Sequence, residues 1–440
     1  MSLTRFSLAG LAVALVGAAA RDAVADPLNI TTATTTPVAT ATANNGAGDI
    51  TITSTGSIAV TAGQAAVTVN SAHDVANGGS ITSNDADNVI GILLQGGFAG
   101  PLDITNSGSI SLVESYTQTD SDSDGNLDGP VAQGANRYAI WLQAGAAFTG
   151  DIDHSGTISV EGNNSGGIRL DGQLIGDLTA APGSSIAVTG ANGVGVAING
   201  GVDGDVRIAS AISTKGENSV GVLVDGPITG ALNLSGNWVI TGYNSIVRPV
   251  TQTGIDALDP EDLLQGGAAI DVRDSVAGGI TIEGVGVEDD DDDDGDGITE
   301  NDADDNFGAT IRTYSGAPVL SIESAAGSPL AIGATASGFG VNVRGLLESN
   351  GVYSGVDATT IRLEGVAGAP VTTAGGIQID NIVRANAYEA DAYAVYIGSL
   401  VDVPHLRMRG VLESNATSDE VTHTAYGVYL TSDANVPLLT

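Results

Sequence analysis

The stretch GTISVEGNNSGGIRLDG at Gly156–Gly172 decides the fold, because the chain repeats it. It returns as SSIAVTGANGVGVAINGG at Ser184–Gly201 and as AISTKGENSVGVLVDG at Ala211–Gly226, and a fourth copy begins with NWVITGYNS at Asn237. An earlier copy, GSITSNDADNVIGILLQGG, begins at Gly79. Each copy reads as a short strand, a turn of Gly and Asn, and a second short strand. Self-similarity at a fixed period is the signature of a solenoid, whose units bury their apolar sides only by stacking on one another.

The spacing of the copies predicts the geometry of the solenoid. Subtracting residue numbers, the apolar anchors Ile158, Ile186, Ile212 and Val239 stand 28, 26 and 27 residues apart. The segments around them alternate apolar and polar residues, which is typical of strands, and no stretch after the N-terminal apolar run shows a helical stripe. We predict strands at Ile158–Val160, Ile168–Leu170, Ile186–Val188, Val196–Ile198 and Val222–Val224. Units of this length fit the coils of an all-β parallel β-helix with about 4.8 Å between coils.

Composition agrees with this prediction. Gly accounts for 62 of 440 residues, and aromatic residues for only 4%. Sharp corners need residues that tolerate a positive φ, and a thin stacked core needs small and β-branched side chains. The alternative is a disordered Gly-rich chain, but 42% hydrophobic residues at regular intervals disfavour it.

The N-terminus predicts export. One cation, Arg5, precedes an apolar run from Phe6 to Ala20, and small residues stand at Ala23 and Ala25. This pattern is typical of a cleavable signal peptide, and the run is short for a membrane-spanning helix. The predicted organisation is therefore a signal peptide at 1–25, a β-helix at 26–287 with an acidic loop at 115–133, an acidic segment at 288–306, and a continuation of the β-helix at 307–440.

Charge and cysteine content exclude several classes of protein. The chain has 14 basic and 52 acidic residues, a net charge of -38, and no Cys. Nucleic acid is excluded as a partner because its recognition rests on cations that meet phosphates. The absence of Cys excludes a disulfide scaffold and thiolate metal sites. No motif for an organic cofactor is present, so we expect none.

The acidic loop predicts a calcium site. Its DSDSDGNLDG places oxygen ligands at alternate positions, with Gly125 allowing the chain to bend. Calcium takes several oxygen ligands, and this spacing wraps them around one point. The stretch is similar to the calcium loops of thrombospondin type 3 and dockerin-like segments, but Val131 stands at the twelfth position in place of a bidentate Glu. A solvated acidic loop is the alternative. The candidate ligands are Asp120, Asp122, Asp124, Asn126 and Asp128.

The second acidic segment, EDDDDDDGDGITENDADDN at Glu288–Asn306, repeats the same frame and contains no basic residue. Its twelfth position is Ala303, so the bidentate Glu is again missing. Carboxylates this dense are either extended and solvated or collect cations, and we favour weak calcium binding. The candidate ligands are Asp292, Asp294, Asp296 and Glu300.

Later phrases extend the solenoid with a longer period. RGLLESNGVYSG at Arg344 and RGVLESNATSDE at Arg409 share one frame, and AYAVYIGSLVDVPHL at Ala392 returns as AYGVYLTSDANVPLL at Ala425. By subtraction, the offset of the second pair is 33 residues. The sequence stops at Thr440 in the middle of a phrase, so we expect a truncated chain with a further segment beyond it.

The chain resembles the autotransporter passenger domains of Gram-negative outer membranes. Three features carry the resemblance: the signal peptide, the Cys-free body rich in Gly, Asn and Thr, and the repeated phrase G-x-I-x-V-x-G-x-N-S-x-G-I-x-L. The resemblance covers about Asp26–Thr440. It implies a right-handed β-helix that is displayed at the cell surface, or secreted, through a C-terminal outer-membrane barrel of the same polypeptide. It also implies a structural or adhesive role, with a host surface, the matrix or neighbouring cells as partners. No barrel strands are present in this sequence.

Parallel β-helices also include polysaccharide lyases and hydrolases, so a secreted carbohydrate-active enzyme is the alternative. The candidate acid/base pairs are Asp151 with Asp153 and Asp203 with Asp205, near Arg169 and Arg207. Such pairs arise freely in a chain this acidic, and solvent-facing turn residues are the simpler interpretation. The four His residues share no frame and are predicted to lie at the surface. Trp141 and Trp238 are predicted to fill the core or a groove rather than to stack on sugars. We therefore predict no catalytic residues and no enzyme activity.

Overall fold

The computed structural model describes residues 27–440 except 99, 124, 126, 285–307 and 419–421. The predicted signal peptide and the acidic segment at 288–306 lie outside the described residues. Within them the chain forms a right-handed parallel β-helix, as predicted. Three long parallel sheets, named A, B and C here in the order in which each coil visits them, form its sides.

Sheet A has 14 strands among the described residues, two more than sheet B or sheet C. Two of its strands, Leu174–Ile175 and Val202–Asp203, lie off the main path and extend it at one corner. The path itself is Leu28–Ile30, Ile50–Ile52, Val75–Asn77, Leu102–Asn106, Phe148–His154, Leu178–Ala180, Val206–Ile208, Leu232–Leu234, Ile280–Ile282, Val341–Val343, Ile377–Ile379 and Leu406–Met408.

Sheet B consists of Ala33–Thr34, Ser57–Ala59, Ser80–Asn84, Ser109–Val113, Thr157–Glu161, Ser185–Thr189, Ala211–Lys215, Asn237–Thr241, Thr310–Tyr314, Leu346–Gly351, Ile382–Tyr388 and Val411–Thr417. Sheet C consists of Val38–Ala39, Ala65–Val69, Ile90–Leu94, Tyr138–Leu142, Gly166–Leu170, Val194–Ile198, Val220–Val224, Ile270–Val272, Leu320–Glu323, Ala358–Glu364, Ala392–Ile397 and Ala425–Leu430. A small fourth sheet joins Leu330–Ile332, Val371–Thr373 and Val401–Asp402.

The register of the strands follows the repeat. In sheet B, Ile158 pairs with Ile186 and Ile186 with Ile212. The next partner is Trp238 and not Val239, so the prediction was wrong there by one residue. A slip of one residue turns a strand over, and Trp238 accordingly points into the core while Val239 points outward. The tryptophan substitutes for an isoleucine in the column, which hid the alignment in the sequence.

The core is a set of aliphatic columns that run inside the three sheets. In sheet B, Ile58, Ile81, Ile110 and Ile158 follow one another in register and are at most 1% exposed. Each such side chain contributes roughly 1.5–3 kcal/mol when it leaves water. The regular spacing of these residues therefore stabilises every coil through its two neighbours.

Asparagines form ladders at the corner between sheets B and C. They adopt a left-handed backbone, with φ between 51° and 58°, which Asn tolerates better than most residues. Their side chains join successive coils: the Asn136 amide donates to Asn88 at 3.1 Å, and the Asn192 amide donates to Asn164 at 3.1 Å. The ladder members are Asn88, Asn136, Asn164, Asn192 and Asn218.

Two long loops leave the coil at this same corner. Loop 1, residues 114–137, follows the sheet B strand Ser109–Val113, and loop 2, residues 242–269, follows Asn237–Thr241. Loop 2 contains the α-helix Gln252–Asp256 and the 3-10 helix Pro260–Leu263, and a further 3-10 helix spans Thr40–Thr42. The loops touch, because the Asn244 amide donates to the Leu127 carbonyl at 2.9 Å.

Candidate functional site

Loop 1 gathers part of the predicted calcium site. Carboxylate oxygens of Asp120, Asp122 and Asp128 lie within 4.8 Å of one another. The other predicted ligands lie outside the described residues: Asp124, Asn126, Asp292, Asp294, Asp296 and Glu300.

Loop 2 supplies two acidic residues that sequence reasoning missed. Carboxylate oxygens of Asp128, Asp259 and Glu261 also lie within 4.8 Å of one another. Asp259 caps the 3-10 helix Pro260–Leu263 in a capping box, which fixes this part of the loop. Because more than a hundred residues separate the two loops along the chain, no local spacing could have indicated this meeting.

Asp128 stands at the centre of both groups. Its Oδ2 accepts a hydrogen bond from the Ser121 hydroxyl at 2.6 Å and another from the Ser121 backbone N–H. These bonds, the first above all, hold the pKa of Asp128 below its usual range. Its Oδ1 is shielded from solvent and has no hydrogen-bond partner among the described residues. A shielded, unpartnered carboxylate oxygen with other carboxylates beside it fits the donor set that a hard cation takes.

The carboxylate pairs that the sequence offered for acid/base chemistry have structural contacts. Asp151 Oδ1 accepts the backbone N–H of Asp177 at 2.8 Å, and Asp177 in turn accepts that of Asp205 at 2.7 Å. Asp205 continues this ladder by accepting the N–H of Ala231 at 2.7 Å. These carboxylates therefore cap the backbone of the following coil at a corner of the β-helix.

The fold separates one of the two arginines, Arg169, from those pairs. Arg207 lies in sheet A, in the same outer column as Asp153, whereas Arg169 lies in sheet C. Asp203 accepts a hydrogen bond from the Thr229 hydroxyl at 2.8 Å. The structure thus does not bring Arg169 to these aspartates.

His154 contradicts the prediction that the histidines lie at the surface, because it is fully buried in sheet A. It continues a ladder of buried asparagines. The Asn77 amide donates to Asn106 Oδ1 at 2.7 Å. The amide nitrogen of Asn106 therefore faces His154 Nδ1, at 3.0 Å, and donates to it. Nε2 then donates to the Ser185 carbonyl at 3.2 Å. This directional chain requires a neutral imidazole.

The buried histidine predicts a pH dependence of stability. Burial lowers the pKa of His154. Below about pH 6.5 the imidazole is therefore protonated in the unfolded state while it stays neutral in the folded state. Stability is therefore retained above that pH and lost as the pH falls toward the folded pKa. We expect the thermal midpoint of the wild type to drop more steeply between about pH 7 and pH 5 than that of His154→Asn, whose amide can continue the ladder. Parallel pH profiles of the two proteins would contradict this.

The two tryptophans separate into different environments. Trp238 is fully buried, as expected for a core residue, and its indole N–H donates to the Ser210 carbonyl at 2.9 Å. Trp141 is half-buried on the outer face of sheet C, where its ring centroid lies 5.1 Å from that of Tyr138. The signal in the sequence that could have placed Trp141 outside was its position between Ile140 and Leu142, because the residue between two inward-facing residues of a strand points to the opposite face.

The outer face of sheet C also carries a cleft of about 470 Å³ lined by charged side chains. Asp271 is 8% exposed, and its Oδ2 accepts from the Arg273 guanidinium at 2.5 Å. Burial raises the pKa of Asp271, although the bond to Arg273 opposes that shift. Asp225 and Glu323 line the same cleft. Sequence reasoning missed this group because its members come from three different coils.

No protein family, no curated protein and no solved structure matches this chain. Among the described residues, no helix has both the length and the apolar character needed to span a bilayer.

Proposed function

We propose that this chain is the β-helical passenger of an autotransporter, exported to the cell surface or secreted, and that its role is structural or adhesive rather than catalytic. The observation that carries the proposal is the continuous stack of coils, which extends three long faces along one rod. The use of Asp151, Asp177 and Asp205 to tie one coil to the next supports a structural role. Host surfaces, matrix or neighbouring cells are the proposed partners.

Surface display tests this proposal. The chain, fused to an outer-membrane barrel in a non-aggregating Gram-negative host, is expected to become accessible to external protease and to promote cell aggregation or attachment. A matched fusion that lacks residues 27–440 is the control. A displayed and folded chain that changes neither aggregation nor attachment would contradict the adhesive role.

The alternative, a secreted polysaccharide lyase or hydrolase, is favoured by one observation. The cleft around Asp271 places a buried carboxyl group of raised pKa beside two further carboxylates, and paired carboxylates perform acid/base work on glycosidic bonds. The test is product formation from acidic and neutral polysaccharides by the wild type and by Asp271→Asn. Turnover that this substitution abolishes would replace the adhesive proposal with the enzymatic one.

We also propose that calcium binds where loops 1 and 2 meet, with Asp128 as the shared ligand beside Asp259 and Glu261. The support is the unpartnered Oδ1 of Asp128. Isothermal titration is expected to show binding at millimolar calcium or below, with a rise in the thermal midpoint. Asp128→Asn should remove both effects, while the control Asp433→Asn, an equal charge change in another part of the chain, should not. No heat and no thermal shift for the wild type would refute this site.

A further inference from the structure

The outer face of sheet C carries two aromatic clusters on one straight line. Tyr138 and Trp141 stand on the fourth strand of the sheet, and Tyr393, Tyr396, Tyr426 and Tyr429 stand on the last two. One outer column of sheet C runs in register through both clusters. It begins with Trp141, Arg169 and Ala197. Farther along it contains Arg362, Tyr396 and Tyr429. The clusters are thus aligned along the axis of the rod.

The first cluster adjoins a recess of about 160 Å³. The recess exists because Gly166 takes the outer position that Tyr138 fills on the preceding coil, and Ala197 takes the position that Trp141 fills two coils earlier. A Cβ placed on Gly166 would lie 3.2 Å from the Val194 carbonyl oxygen and 3.6 Å from Tyr138. The missing side chain therefore leaves one edge of the Tyr138 ring beside an open space.

Polar groups around Trp141, next to the recess-lining residues Tyr138 and Arg169, are held in fixed positions. Asp171 accepts hydrogen bonds from Trp141 Nε1 at 2.9 Å and from the Asn199 amide at 2.6 Å, and it pairs with Arg169 at 2.8 Å. The Arg169 guanidinium also lies 5.2 Å from the centre of the Tyr138 ring. The result is a rigid group of rings and hydrogen-bonding side chains at the protein surface.

The charges on this face are paired with one another. Arg169 pairs with Asp171, Arg273 with Asp271, and Arg362 with Glu323 at 3.1 Å. Glu364 lies 3.8 Å from the same Arg362, and Asp225 adds a further negative charge. A strongly anionic ligand is therefore disfavoured, and an uncharged ligand rich in hydroxyl groups fits best.

We propose that the outer face of sheet C binds an uncharged linear polysaccharide along the axis of the rod, and that the recess at Tyr138 and the neighbouring Trp141 ring form its principal subsite. Apolar sugar faces pack on the aromatic rings, and hydroxyl groups meet the carboxylates and amides beside them. This inference deepens the proposed adhesive function, because it names the class of ligand that the surface would recognise.

Affinity electrophoresis of the intact chain in gels that contain hydroxyethyl cellulose, galactomannan or dextran tests the proposal, with polygalacturonate as the anionic comparison. At least one uncharged polysaccharide should retard the wild type. Trp141→Ala is expected to weaken that retardation about tenfold, since an aromatic contact contributes up to roughly 1.5 kcal/mol beyond its buried area. Gly166→Val should weaken it comparably by filling the recess.

Two controls separate binding from folding. Gly166 lies in an extended strand, but its added Cβ would meet the Val194 carbonyl oxygen at 3.2 Å, so Gly166→Val should keep the wild-type circular dichroism spectrum with a somewhat lower thermal midpoint, and its binding is measured well below that midpoint. Tyr314→Ala removes a half-buried ring from the outer face of sheet B and should leave the retardation unchanged. Equal loss in Tyr314→Ala would overturn the proposal.

Other outcomes also overturn it. The first is that no uncharged polysaccharide retards the wild type, and the second is that polygalacturonate retards it more strongly. The third is that the wild type self-associates in the ultracentrifuge and Trp141→Ala does not. That result would assign the face to a second copy of the chain. The failure of this inference can be distinguished from the failure of the adhesive function. If the wild type binds no polysaccharide but cells that display Trp141→Ala still aggregate, this inference is refuted and the adhesive function stands.

Discussion

Replacing Arg137 with alanine is expected to destabilise the protein by about 3–5 kcal/mol, because it leaves a buried carboxylate without its cation. The guanidinium lies 3.3 Å from Glu114, and the two side chains are only 2% and 5% exposed. Nε also donates to the Ala86 carbonyl at 2.8 Å, and a terminal nitrogen donates to the Glu161 carbonyl.

Arg137 also closes the base of loop 1. Glu114 accepts the backbone N–H groups of Gln133 and Gly134 at 2.7 and 2.6 Å, so one carboxylate holds both the start and the end of the loop. Loss of the arginine should therefore increase protease cleavage within loop 1. Arg137→Lys should rescue little, because a single ammonium group cannot make the same set of directed bonds.

Urea unfolding measures the first effect, with Arg312→Ala as the matched control. Arg312 forms a partly exposed pair with Glu348 at 3.0 Å, and such pairs contribute about 0–1 kcal/mol. A loss of stability in Arg137→Ala no greater than that in Arg312→Ala would show that the buried network does not stabilise the fold.

The second large effect is expected for Gly190→Ala, at about 2–6 kcal/mol. Gly162, Gly190 and Gly216 stand at the same corner of successive coils, and the φ of Gly190 is 148°, where other residues are strained. A Cβ there would lie 2.1 Å from the Gly162 carbonyl oxygen. The estimate sums roughly 1–3 kcal/mol of backbone strain and roughly 1–3 kcal/mol of steric overlap.

Gly183→Ala separates the two contributions. Gly183 also has a positive φ, 79°, but nothing lies within 4 Å of its added Cβ. It should therefore lose only the strain energy, about 1–2 kcal/mol. The thermal midpoints of both variants test the close approach of the coils. Equal decreases in the two thermal midpoints would contradict the short distance between the coils at Gly190.

The sequence could predict the fold because the β-helix repeats one local rule. Ile158, Ile186 and Ile212 recur at a spacing that the ladder of backbone hydrogen bonds imposes, and each strand pairs with the next copy along the chain. The rule failed where Trp238 replaces isoleucine, because the hydrophobic pattern does not distinguish adjacent apolar residues in a run such as Trp238–Ile240.

The candidate sites could be predicted only in part. The spacing within loop 1 identified Asp120, Asp122 and Asp128, which are neighbours in the chain. Asp259 and Glu261 reach Asp128 only through the packing of one loop on another, and the face around Trp141 and Asp171 is assembled from several coils. Sequence periodicity places residues on a face, but it does not indicate which side chains meet across coils or loops.

The most direct test of the account is a pair of distances between spin labels. The chain has no native Cys, so Thr105→Cys/Thr281→Cys and Thr51→Cys/Arg407→Cys give clean labelling sites on one outer column of sheet A. The register separates the first pair by five strand spacings and the second by ten. With about 4.8 Å per spacing, electron–electron double resonance should give distances near 24 Å and 48 Å, the second twice the first. Similar distances for the two pairs, or broad distributions without a maximum, would contradict the stacked coils on which every other statement depends.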